Sequence, residues 1–198
     1  MRIYPNPMEG KHSPWGNIQH STEIVPGITT VSTSSHGGIK LDRAHNAKVP
    51  KYMRAEGGWY EEDCDWAIPF CVFETEILSG TDDEYTIRAY ANHSPLKTLM
   101  AWYPEAYEKW SGIVVMPGES HTRDRYIFEQ NNVNNYVTYS AVGSHSADCP
   151  AGMVLVFAIR KADGSTKSFL VNEQDYAARG QFSFVVDTEF YQEVIYCK

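Results

Sequence analysis

The alternation of apolar and polar positions changes period several times along the 198-residue chain. From Ile18 to Val31, β-branched and apolar residues alternate with polar ones around Pro26-Gly27, a turn signal, so two strands are expected. His36-Gly37-Gly38 reads as a tight turn that returns the chain as a short strand, Ile39-Lys40-Leu41. Asp42 is placed to cap a short helix through Ala47, and Pro50 opens a second one, PKYMRAE, that Gly57-Gly58 ends. Beyond Gly58, a helical projection at about 100° per residue gathers Trp59, Trp66 and Phe70 on one face and Glu61, Glu62 and Asp65 on the other. Asp63 falls among the aromatics. A bare charge is too costly to bury, so Asp63 is expected to be a structural buried carboxylate with a hydrogen-bonding partner.

Further on, Tyr85 to Ala91 reads as a strand. Ser94-Pro95 opens a helix whose buried stripe is Leu96, Leu99, Met100 and Tyr103, and a second helix carries Tyr107 and Trp110 to Gly112. Ile113 to Met116 reads as a short buried segment, and residues 120–131 as a helix with Tyr126 and Ile127 inward. Tyr136 to Val142, Met153 to Arg160 and Thr166 to Val171 are strands, the last two joined at Ala162-Asp163-Gly164. The run MVLVFAI is apolar on both faces and belongs at the centre of its sheet. A short helix, EQDYAAR, follows Asn172, and Phe182 to Val186 adds a strand. Strands and helices come in blocks rather than in βαβ alternation, so the fold class is α+β, a single domain with an antiparallel sheet (hairpin 153–171) and several short helices. No linker or repeat interrupts the pattern; residues 1–12 are expected to be a flexible arm and 13–198 one domain.

Composition narrows the function. With 42% hydrophobic and 13% aromatic residues the chain should fold unaided. It has no apolar run near the roughly 20 residues that span a bilayer, and its start lacks the apolar core of a signal peptide, so no membrane association is expected. Four cysteines without a CxxC pair point to reduced thiols. A net charge of −8 argues against direct binding of nucleic acid and is compatible with meeting a basic protein surface.

Candidate chemistry is sparse. There is no GxGxxG, no P-loop and no HExxH, so neither a cofactor nor a metal is expected. His145, Asp148 and Cys149 lie close in sequence but lack a second half to complete a metal or nucleophile site. His36, Gly37 and Gly38, with Lys40 nearby, form either an anion cradle of backbone N–H groups or a plain hairpin turn. Glu61, Glu62, Asp63 and Asp65 offer oxygen ligands or acid–base groups, or else a solvated helix face. Trp59 is a candidate stacking residue. No residue is assigned as catalytic.

SPWG at Ser13 to Gly16, SHGGIKLDRAHNAKVPKYM, GGWYEEDCDWAIP and, more faintly, WYPEAYE at Trp102 to Glu108 resemble an uncharacterised domain family of bacteriophage and conjugative-element proteins. There the domain stands alone or within large polyvalent proteins. The resemblance is strongest over residues 13–73; it implies a mobile-element origin, in the company of counter-defence factors, and a place in the host cytoplasm. The resulting expectation is a non-enzymatic inhibitor that binds a host defence protein, nucleic-acid-binding or nucleotide-signalling, through Glu61, Glu62 and Asp65. The alternatives are a hydrolase or nucleotide-processing enzyme with a pocket around His36 and Asp63, and a nucleotide-binding sponge.

Overall fold

The computed structural model describes residues 8, 10–146 and 149–195. Contacts divide the chain into two compact units, Met1–Arg123 and Asp124–Lys198. Both carry antiparallel sheet and helix, the α+β class expected from the sequence. Most of the arm expected over residues 1–12 lies outside the described residues. Gly10, however, donates to Ile18 O at 2.9 Å, and His12 already belongs to a strand.

In the first unit, β1 (His12–Ser13) and β2 (Gly16–Asn17) make a small hairpin. The main sheet comprises β3 (His20–Val25), β4 (Ile28–Ser32), β5 (Gly37–Leu41) and, after α1 (Arg43–Lys48), β6 (Trp59–Glu61), ordered β3-β4-β5-β6 with every pair antiparallel. Helices follow: α2 (Ala67–Val72), α3 (Glu74–Gly80), α4 (Glu84–Ala91), α5 (Ser94–Trp102) and α6 (Pro104–Ser111). Ile28, Ile39, Leu41 and Tyr60 from one sheet face enter a common core with Ile68, Phe70, Ile77 and Leu99 from the helices. The period-2 strands and the 3.6-period helices therefore bury their apolar sides against each other.

The second unit begins within α7 (His121–Asn131) and continues through β7 (Tyr136–Val142), β8 (Met153–Arg160), β9 (Thr166–Asn172), α8 (Glu173–Ala177), β10 (Val185–Val186) and β11 (Glu193–Val194). Its sheet runs β10-β7-β8-β9-β11, with β8 central as its apolar run requires. Val154, Val156, Ala158, Phe169 and Val171 form the core. Among the described residues no helix is long and apolar enough to cross a membrane.

Five segments differ from the sequence reading. The helix expected over 50–56 is instead a turn at 51–53, with a short 3-10 helix at Glu56–Gly58, and residues 59–66 form β6 and a turn. The segment read as a strand at 85–91 is α4, because the Asp83 carboxylate caps it by accepting from Thr86 N–H at 2.7 Å. Its inward residues Thr86 and Tyr90 are then one turn apart, and Tyr90 donates to Phe70 O at 2.8 Å. Ile113, Val114 and Met116 are 58, 68 and 59% exposed, and only Val115 is buried. Ion pairing explains that: Glu108, held by Arg123 at 2.8 Å, accepts from Val115 N–H at 2.8 Å, so one residue of the loop is pinned while its neighbours face solvent. The same bonds hold the Glu108 carboxyl down to about 2. In α7, Tyr126 and Ile127 face solvent rather than inward.

Candidate functional site

β5 and β6 bring the candidate residues together. Their register sets Gly38 opposite Glu61, Ile39 opposite Tyr60 and Lys40 opposite Trp59. Side chains alternate across a strand, so Ile39 and Tyr60 enter the core while Gly38, Lys40, Trp59 and Glu61 share the other face. His36 stands at the start of β5, fixed by Thr33: Thr33 N–H donates to His36 O at 2.7 Å, and His36 N–H donates to Thr33 Oγ1 at 3.1 Å. The bend therefore falls at Ser34-Ser35, and Gly37-Gly38 is not the turn the sequence suggested. β5 lies between two strands, so its backbone is committed to the ladder rather than to an anion cradle.

Gly38 is required for another reason. A Cβ there would come within 2.5 Å of the Trp15 ring and would overlap the carbonyl of Tyr60. The bare backbone lets Trp15 lie over β5 and meet Trp59 edge to face, ring centroids 5.8 Å apart. Trp15 is held in turn by Ser13, whose Oγ accepts from Trp15 N–H at 3.2 Å and donates to Gly16 O at 2.8 Å. Sequence reasoning noticed SPWG only as part of a resemblance; the signal it lacked was the pairing of that Trp with a glycine on β5, three strands further along the chain. Lys40 spans the other side of Trp59, its ammonium 4.8 Å from the ring centroid and donating to Gly57 O. Burial lowers its pKa, with Asp42 acting in opposition. It is engaged within the protein and is not a free anion receptor.

At the rim, His36 Nδ1 lies 3.9 Å from both Glu61 Oε1 and Glu62 Oε1, with the three side chains 54, 26 and 46% exposed. The ligating atoms of the three all fall within 4.8 Å of one another. One imidazole and two carboxylates would suit a divalent transition metal, whereas the sequence reading expected no metal and did not join His36 to the carboxylates as ligands. All three are open to solvent, which equally suits charge pairing with a partner. A neighbouring hollow of about 260 Å³, lined by Thr30, Val31, Gly38, Ile39, Glu62 and Trp66, contains neither His36 nor Asp63.

Two acidic residues depart from expectation. Asp63 is exposed rather than buried, because residues 59–61 are strand and the helical projection does not apply; its N–H donates to Glu61 Oε2 at 2.6 Å and its carboxylate faces out. Asp65, placed on the solvated face by the same projection, is half-buried and accepts the hydroxyl of Tyr103. Tyr103 O–H and the Cys64 thiol lie 3.3 Å apart. Burial pushes the thiol pKa up; the Tyr103 bond opposes this, and the charges of Asp65, Glu61 and Asp63 reinforce it. Cys64 is thus no activated nucleophile. Of the His145, Asp148 and Cys149 group, Asp148 lies outside the described residues, and Cys149 is buried, its thiol donating to Met153 O at 3.1 Å.

A buried histidine that the sequence reading passed over sits below the sheet. His45 has Nδ1 2.9 Å from Asp42 Oδ1 and Nε2 3.0 Å from Glu76 Oε1, and its ring meets Phe73 at 5.2 Å. Two carboxylate partners require both ring nitrogens to donate, which is the imidazolium form. Burial works against that charge, but the bonds to Glu76 and Asp42, with their charges, outweigh it and raise the pKa above 6.5. A raised folded pKa contributes stability that is complete below the unfolded value and is lost as pH rises through the folded one. All five tryptophans precede residue 124, so their fluorescence reports the first unit alone. The denaturation midpoint read from it should fall as pH rises from 6 through the raised pKa, and His45→Gln should remove most of that slope; an equal slope in the variant would contradict the assignment.

A sheet edge carrying two half-buried, paired tryptophans and a solvent-open acidic rim marks this α+β protein. The chain belongs to the family of the domain of unknown function DUF7007, whose family model matches residues 8–133. That span contains all the candidate residues on β5, β6 and the turn after it. No curated protein and no solved structure matches the chain.

Proposed function

We propose that this chain is an accessory protein of a phage or mobile element that acts by binding, without catalysis, a basic surface of a host defence factor in the host cytoplasm. One observation carries the reading: β5–β6 pairing sets Trp59, Glu61 and Glu62 beside His36 at one sheet edge, where the half-buried Trp15 of the β1–β2 hairpin packs on Trp59. Trp is enriched among the anchors that dominate binding energy, and flanking carboxylates steer a cationic partner and set its register. The overall charge of −8 acts in the same direction. The mobile-element setting rests on the resemblance described above; the family itself is one of unknown function.

Glu61→Lys/Glu62→Lys should leave folding intact, since neither side chain is buried, and should sharply reduce the amount of host factor captured from lysate by the tagged protein. His36→Ala should change capture little. Full capture by the double variant, with loss in His36→Ala, would instead favour chemistry or a bound ion at the His36 rim.

A further inference from the structure

On the other side of the acidic turn, Tyr52, Arg54, Tyr60, Asp65, Ile68 and Tyr103 line a pocket of about 230 Å³. That is below the roughly 300–1,000 Å³ typical of sites for drug-sized ligands, and so too small for a nucleotide, but ample for one long side chain. We infer that this pocket receives a lysine or arginine side chain from the partner protein, the cation lying between the tyrosine rings and the carboxylate of Asp65.

The carboxylate of Asp65 and the tyrosine rings supply the complementary chemistry. Tyr103 O–H and the Cys64 thiol both donate to Asp65 Oδ1, and among the described residues neither bond involves Oδ2. Burial, followed by the bond to Asp65, raises the pKa of Tyr103, so the hydroxyl remains a donor and does not compete as an anion. Tyr60 forms the floor, its own hydroxyl already donating to Asn46 Oδ1 at 2.7 Å and accepting from Ala55 N–H at 3.3 Å, which leaves the ring as its contribution. Tyr52, at the mouth and 43% exposed, already carries a cation: Lys109 Nζ lies 4.1 Å from its ring centroid. This aromatic wall therefore receives an ammonium in the free protein. Arg54 also lines the pocket and would oppose a second positive charge, but its Nε and Nη2 are held at the rim by the carbonyls of Val49 and Ala47, at 3.0 and 2.6 Å.

The docking reading supplies only the source of the cation; the chemistry of the pocket stands apart from it. The test is titration of the full chain with N-acetyl-arginine amide, followed by heteronuclear NMR, with N-acetyl-citrulline amide as the uncharged isostere. Saturable shifts are expected at Tyr52, Ile68 and Tyr103. Affinity should fall about ten- to hundredfold in Asp65→Asn, which loses the charge but keeps an acceptor for Tyr103, and should fall also in Tyr52→Leu, which leaves Asp65 untouched. Equal shifts with the citrulline amide, or no saturable shift around the pocket, would overturn the inference. If the pocket ignores the probe while Glu61→Lys/Glu62→Lys still abolishes capture, only the pocket assignment falls; if the probe binds and the double variant captures normally, only the docking reading does.

Discussion

Tyr60→Ala is expected to destabilise the first unit by about 3–5 kcal/mol, the range for removing a large aromatic side chain from a core. Tyr60 is fully buried at the centre of β6 and its hydroxyl joins Asn46 to Ala55, so the substitution opens a cavity and leaves two polar groups unpaired. Against a typical total stability of about 5–15 kcal/mol, that loss would remove about a fifth or more. Tyr60→Phe separates the two contributions: it keeps the ring and loses only the bonds, at about 1–3 kcal/mol. Urea unfolding followed by tryptophan fluorescence measures both. Equal losses in the two variants would mean that the hydroxyl network, and not the packed ring, holds β6 in place.

Gly38→Val should cost about 1–3 kcal/mol by overpacking and should also dismantle the paired-tryptophan edge. The added carbon meets the Tyr60 carbonyl, which is backbone and cannot swing away, and the ring of Trp15. β5 and β6 must separate, or Trp15 must leave. Either change alters the environment of Trp15 and Trp59, so the native-state fluorescence spectrum should shift even where the variant remains folded. A folded variant with an unchanged spectrum and unchanged capture would show that the tryptophan pair is neither strained by the added side chain nor part of the surface that binds.

The second unit was more legible in the sequence than the first, for a physical reason. In β8 and β9 the apolar runs are long and the turn at Asp163-Gly164 is explicit, so local pattern and tertiary pairing agree. In the first unit, EYTIRAYA satisfies either period, and a single side-chain cap from Asp83 selects helix. At 59–66, strand pairing with β5 overrides a helical projection that looked coherent, and with it goes the expected burial of Asp63. The candidate residues were chosen by type, because glycine pairs, tryptophans and clustered carboxylates stand out. Their partners were not: Trp15 over Gly38, Tyr103 on Asp65 and His45 between Asp42 and Glu76 join positions separated by up to 38 residues, and no local pattern carries such contacts.

The most direct test of docking through the acidic edge is the association rate of the captured host factor, measured by stopped flow against ionic strength for the wild-type chain and for Glu61→Lys/Glu62→Lys. The wild-type rate should fall as salt rises, and the double variant should associate about tenfold or more slowly at low salt. The two curves should converge near 1 M, where the Debye length is about 3 Å and steering is screened. A wild-type rate that is insensitive to salt and unchanged by the reversal would contradict electrostatic docking through Glu61 and Glu62.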